Sequence, residues 1–169
     1  MSAGTAFNTT IDGVNFQFVT ISDITSRNTG SSIPFDSLKI YEGTYTTTKY
    51  IVDSQQADQR FMLTDVRADT TTLTVKVQNS QSDSTTTTYT KATDITQLTS
   101  SSTVYFLQEV ENGRYEVYFG DGVLGKAIAD GNIVILDYVT CNRDEPNGAT
   151  TFALSGNVGG FTNVTITTV

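Results

Sequence analysis

Residues 104–138 read VYFLQEVENGRYEVYFGDGVLGKAIADGNIVILDY. Two runs of alternating apolar and polar residues, VYFLQEV (104–110) and RYEVYFG (114–120), flank Glu111-Asn112-Gly113. Alternation sends successive side chains to opposite faces of a strand. Asn-Gly accepts the positive φ that a tight hairpin requires. The spacing therefore predicts an antiparallel hairpin, with Val104 and Phe106 on one face of its first strand and Tyr115, Val117 and Phe119 together on its second. After a glycine-rich link, NIVILDYVT (132–140) predicts another, strongly apolar strand.

The link, GDGVLGKA (120–127), has most of a phosphate-binding loop, G-x-x-x-x-G-K-[ST], and IVILD (133–137) resembles a strand ending in a magnesium-holding Asp. The context fails. A phosphate loop opens a helix and follows Lys with a hydroxyl; here Ala127 follows Lys126. Only Ala127-Ile128-Ala129-Asp130 separate Lys126 from Gly131, whereas a parallel crossover needs about a dozen residues. The better reading is a structural turn. Gly120, Gly122 and Gly125 supply backbone angles other residues resist, Asp121-Gly122 turns tightly, and Val123 and Leu124 tuck back onto the sheet.

Working outward, the 169 residues suffice for one ordinary domain, or a domain with an insertion, without disulfides. Cys141 is the sole cysteine, which excludes an intrachain disulfide. The absence of His removes the commonest general base, the usual zinc ligand and the His-containing triads. A net charge of −8, with ten scattered basic residues, argues against a nucleic-acid partner. No apolar run reaches the length of a membrane helix. Threonine tracts at 46–48, 70–72 and 85–88 favour strands.

Further strands follow from alternation. TAFNTTI and VNFQFVTI flank Asp12-Gly13, with Val14, Phe16 and Phe18 on one face. SLKIYEG (37–43) aligns Leu38 and Ile40. QRFMLTDV and TTLTVKVQ form a pair around Arg67-Ala68-Asp69, with Leu73, Val75 and Val77 sharing a face. TDITQL makes a short helical turn capped by Asp94 or Thr93. NRDEPNG is a loop, and ATTFALSG and FTNVTITTV are the last strands. The fold class is all-β: an antiparallel β-sandwich-like body of short strands, with a β-rich insertion. Residues 1–43 and 147–169 make an outer module; residues 44–146 are the inserted domain carrying the hairpin. The strand-like ends suggest a piece of a longer polypeptide. The last strand, 161–169, suggests an open edge for a neighbouring chain to complete.

Two other chemistries place their own demands on these residues. Glu116, Asp121, Asp130 and Asp137 would have to converge to serve a hydrolase or a cation, and no calcium-loop spacing links them. Tyr41, Tyr45, Tyr50 and Tyr89 would have to share an exposed face to bind sugar, the first alternative function.

The segment 104–138 resembles the baseplate wedge proteins of contractile-tailed bacteriophages, within the broad J-like baseplate family. The shared pattern is Y-x-[IVL]-x-F-G-D-G-x-x-G, a basic or small residue, a Gly, and a strand ending in Tyr. Here these are Tyr115, Val117, Phe119, Gly120, Asp121, Gly122, Gly125, Lys126, Gly131 and Tyr138. AGTAFNTTIDGVNFQFVT and FALSGNVGG are similar to outer segments of the family, and SLKIYEGTYTTTKYIVD resembles the T4-like wedge subunit. Ala127-Ile128 stands where many relatives carry a Pro. The resemblance implies a structural virion protein of the tail baseplate, made in the host bacterial cytoplasm, not an enzyme. It implies assembly with copies of itself and other wedge proteins, without nucleic acid, membrane, small-molecule substrate, cofactor, metal or catalytic residues. Phe119, Gly120, Asp121, Gly122, Gly125 and Lys126 then form a structural motif.

Overall fold

The computed structural model describes residues 1–56, 58–142 and 146–167. Among them are eleven strands and two 3₁₀ turns, an all-β fold in two sheets. Part of the expected NRDEPNG loop, Arg143 to Glu145, and the last two residues of the expected final strand lie outside the described residues. The chain divides into two compact units, Met1–Tyr45 with Val139–Val169, and Thr46–Tyr138.

The first unit holds a sheet of order β11-β1-β2-β3, formed by β1 (Ala6–Ile11), β2 (Val14–Val19), β3 (Tyr41–Glu42) and β11 (Ala153–Leu154). β1 and β2 pair from Ala6↔Val19 to Ile11↔Val14. Asp12 and Gly13 between them have φ of 50° and 82°, the left-handed pair that suits a two-residue hairpin. Phe7, Phe16 and Val19 are buried, and Phe18 meets Phe152 edge-on at 5.0 Å. Val14, placed by alternation with Phe16, is exposed at the strand's start. At Gly43 a Cβ would stand 2.2 Å from the Thr140 carbonyl oxygen, and φ is 122°, so only glycine fits.

Three expected strands in this unit are shorter or absent, and of ATTFALSG only Ala153–Leu154 is strand. Of SLKIYEG only Tyr41–Glu42 is strand, because the backbone turns at Asp36-Ser37, with Ser37 at φ 54°. The described part of FTNVTITTV forms no strand. Instead Val158 and Phe161 exchange backbone hydrogen bonds across Gly159-Gly160, whose positive φ values fold the chain back on itself.

The seven-stranded sheet runs β4-β10-β6-β7-β8-β9-β5. Its strands are β4 (Thr44–Ile51), β5 (Phe61–Met62), β6 (Ala68–Gln78), β7 (Thr86–Lys91), β8 (Val104–Val110), β9 (Arg114–Phe119) and β10 (Ile133–Thr140). It is nearly barrel-shaped, and side chains bridge its two edge strands. The Tyr50 hydroxyl on β4 donates to the Met62 carbonyl on β5, Gln59 Nε2 donates to the Ile51 carbonyl at 3.3 Å, and the Tyr50 and Phe61 rings lie 5.7 Å apart. Phe61, Leu63, Val75, Val117, Val134, Leu136 and Tyr138 are fully buried in one core with Val77, Tyr89 and Tyr105.

The predicted β8–β9 hairpin is present, registered from Tyr105↔Phe119 to Val110↔Arg114, with Asn112 at φ 64° and Gly113 at φ 69°. Tyr105 and Leu107 face the core beside Tyr115, Val117 and Phe119. Phe106 takes the other face, stacked on Tyr118 at 5.1 Å, with the Arg60 guanidinium 4.0 Å from the Tyr118 ring. Both β8 faces are apolar, so alternation alone left two registers of burial open; the partner strand decides. The expected pairing of QRFMLTDV with TTLTVKVQ is also replaced: β5 pairs with β9, Phe61↔Val117, and β6 pairs with β7, Val75↔Tyr89. One pairing, β7 with β8, is parallel. The segment Ala92–Thr103 makes the crossover that a parallel pair needs; it contains the predicted turn Ile95–Gln97, capped by Asp94.

β10 explains the unbroken apolar run. It lies between β4 and β6, and all its inner residues, Val134 to Val139, are buried. Val134, Leu136 and Tyr138 enter the core; Ile135 and Asp137 alternate with them on the other face. The one charge, Asp137, accepts from Thr47 Oγ1 on β4 at 2.6 Å and from Lys76 Nζ on β6 at 3.0 Å. A buried carboxylate is tolerated when it is both paired and hydrogen-bonded. Lys76→Met removes one partner and should lower stability by about 1–2 kcal/mol, the lysine being partly solvated. Adding Asp137→Asn, which removes the stranded charge, should recover part of that loss in urea unfolding. A single variant as stable as wild type would contradict this role.

Candidate functional site

The glycine-rich loop after β9 is built from its backbone outward. Phe119 anchors it, its ring 5.7 Å from Phe61 and 5.1 Å from Tyr89 in edge-on contacts. The next residue must be glycine: a Cβ on Gly120 would stand 2.2 Å from the Leu124 carbonyl oxygen and 2.6 Å from Gly125 backbone atoms. Asp121 Oδ1 accepts the backbone N–H groups of Val123 at 2.9 Å and Leu124 at 3.1 Å. These donors hold its carboxyl below the usual carboxylate range. Gly122, at φ 87°, donates to the Gly125 carbonyl and closes the turn. Gly125, at φ 93°, lies over Val104, which a Cβ would approach to 3.1 Å. The base is fixed by Gly125 N–H to the Thr99 carbonyl at 3.1 Å and Lys126 N–H to the Ser102 carbonyl at 2.8 Å.

Phe119 thus ends β9, and the other five motif residues lie in one turn, Gly120–Lys126, not in a phosphate cradle. A phosphate loop would open a helix at this point, whereas residues 126–129 contain no helical turn. The IVILD strand lies between β4 and β6, away from β9. One expectation is overturned at the tip: Val123 and Leu124 do not tuck back but are 71% and 47% exposed. With both N–H groups held by Asp121, the backbone presents these side chains outward.

The four candidate carboxylates have separate local partners. Glu116 lies 3.9 Å from Arg60, Asp121 caps its own turn, Asp130 accepts the Ser54 N–H at 2.9 Å, and Asp137 joins Thr47 and Lys76. Among the described residues no group of three acidic, Cys or His side chains is arranged to hold a metal ion. The tyrosines are equally separate in role. Tyr89 is buried in the core, Tyr50 bridges the sheet edges, Tyr45 packs beside Gly4, and Tyr41 is half-buried on β3. Burial raises the Tyr50 and Tyr89 hydroxyls above their ordinary values. The Arg60–Tyr118–Phe106 stack escaped the sequence reading; its only signal was aromatic residues at matching positions either side of Asn-Gly.

Fold and loop define an all-β module in which the four candidate carboxylates serve turns, loops and ties between strands. The chain belongs to the family described as bacteriophage baseplate wedge protein gp6, third domain, whose model matches residues 45–147. Membership gives it a structural role in the phage tail baseplate. No curated protein matches the chain.

Gly120→Ala should be the most damaging change in the loop, costing more than about 2 kcal/mol, because its Cβ meets backbone atoms that cannot move independently. Gly122→Val, strained in φ but meeting only Ala127 Cβ at an ordinary contact distance of 3.8 Å, should cost about 1–2 kcal/mol. Thermal unfolding of the two variants checks the order. Wild-type stability in either would mean that the turn does not constrain the fold.

Proposed function

We propose that this chain is a non-enzymatic building block of the baseplate wedge in the virion, assembling through protein–protein contacts with copies of itself and with other wedge proteins. The observation that carries the reading is the family match over residues 45–147. It is supported by a fold in which the sequence-flagged carboxylates and glycines have structural partners. On this reading the protein is made in the host bacterial cytoplasm and incorporated into the tail, and its partners are proteins, not nucleic acid, membrane or a small-molecule substrate. The glycine loop Phe119–Lys126 is a structural motif that fixes the end of β9.

We further propose that residues 44–146 are a β-domain inserted into an outer module of residues 1–43 and 147–169. Supporting this, the outer stretches share a sheet, with β11 pairing β1 at Phe7↔Leu154. The compact second unit, Thr46–Tyr138, falls within the proposed insertion. Immunogold electron microscopy of phage particles, with antibody raised against this chain, tests the location. Gold at the end of the tail is expected. Antibody that detects the protein in lysates but labels neither intact nor disrupted tails would overturn the reading.

A further inference from the structure

The turn Gly120–Lys126 is prepared for contact. A tip held by Asp121 and closed by Gly122 N–H to the Gly125 carbonyl costs little ordering entropy on binding. It exposes two large aliphatic side chains, flanked by Asp121 and Lys126. In the first unit, residues 21–41 wall a cavity of about 510 Å³. Its apolar lining includes Ile21, Ile24, Phe35 and Leu38, all half-buried, and its charged lining is Asp36 and Lys39. Tip and cavity therefore match in kind: an aliphatic centre, one acid and one base on each. Among the described residues none of Asp36, Lys39, Asp121 and Lys126 makes an ion pair within the chain. At a net charge of −8 two copies repel, so a self-contact is favoured where opposite charges meet.

We propose that the Val123–Leu124 tip of one copy docks into the cavity at Ile21, Ile24, Phe35 and Leu38 of a second copy, with Lys126 meeting Asp36 and Asp121 meeting Lys39. Each copy offers one tip and one cavity, so the contact closes as a reciprocal pair or propagates into a ring or chain of subunits. It rests on the reading that the protein assembles with copies of itself, and it names the surfaces.

Sedimentation velocity of the full 169-residue chain, over a micromolar-to-millimolar range, tests the contact. Wild type should self-associate. Val123→Ser with Leu124→Ser should raise the dissociation constant at least about tenfold. Lys126→Glu and Asp36→Lys, both at exposed positions, should each weaken association, and their combination should restore it. Mixing the tip variant with the Asp36→Lys chain should yield pairs at most, because only the Asp36→Lys chain keeps a tip and only the tip variant keeps an intact cavity. Monomeric wild type, unchanged association of the tip variant, or no rescue by the charge swap would overturn the proposal. A chain that labels tails yet stays monomeric overturns this contact and leaves the baseplate role standing. Tip-dependent association of a chain absent from tails supports the contact and overturns the role.

Discussion

A carboxylate on the most deeply buried strand ties together the two strands beside it. Asp137 on β10 holds Thr47 of β4 and Lys76 of β6, so its charge is compensated within a strand that has no solvated inner residue. The constraint is severe, since an unpaired carboxylate at this depth would cost more than the neighbouring aliphatic contacts return. With β10 fixed, Val134, Leu136 and Tyr138 form the centre on which the core of the seven-stranded sheet assembles. The Tyr138 hydroxyl then reaches Thr64, meeting its Oγ1 at 2.9 Å and its N–H at 3.2 Å, and so positions the chain after β5. β5 in turn meets β4 through Tyr50 and Gln59, which brings the edges of the sheet together.

That arrangement leaves the glycine loop with a defined geometry. Phe119 is in the core and Lys126 is tied back to Ser102, so the intervening residues must turn within a fixed span. Gly120 and Gly125 answer crowding, and Gly122 answers dihedral strain. Asp121 replaces the hydrogen bonds that Val123 and Leu124 N–H groups would otherwise seek from water. The same features that imitate a phosphate-binding motif in one dimension are a self-contained turn in three.

Much of this was legible in the amino-acid order because it depends on neighbours in the chain. Asp12-Gly13 and Asn112-Gly113 announce their hairpins by the φ values only such residues accept readily, and Asp94 caps the turn it was expected to cap. The amino-acid order is less decisive where the outcome depends on distant partners. Phe106 and Tyr105 are both apolar enough to face a core, and β9 with Tyr89 behind it selects Tyr105. QRFMLTDV pairs with a strand some fifty residues later, which no local pattern encodes. The FTNVTITTV run has strand-forming residues, but the Gly159-Gly160 reversal ahead of it draws Phe161 back toward Val158. At the loop, the glycine and Asp positions mark a turn in the amino-acid order. The direction of Val123 and Leu124 is not legible there, because aliphatic character predicts burial and says nothing of a backbone that holds it outward.

Native-state hydrogen exchange followed by NMR tests the central claim, that a barrel centred on β10 holds this loop rigid, most directly. The account predicts that amides of β10 exchange only through global opening, and that Gly122, Gly125 and Lys126 are protected although they lie in a loop, because each donates to a fixed carbonyl. Exchange of those three amides at the rate of unstructured chain, with β10 still protected, would contradict it.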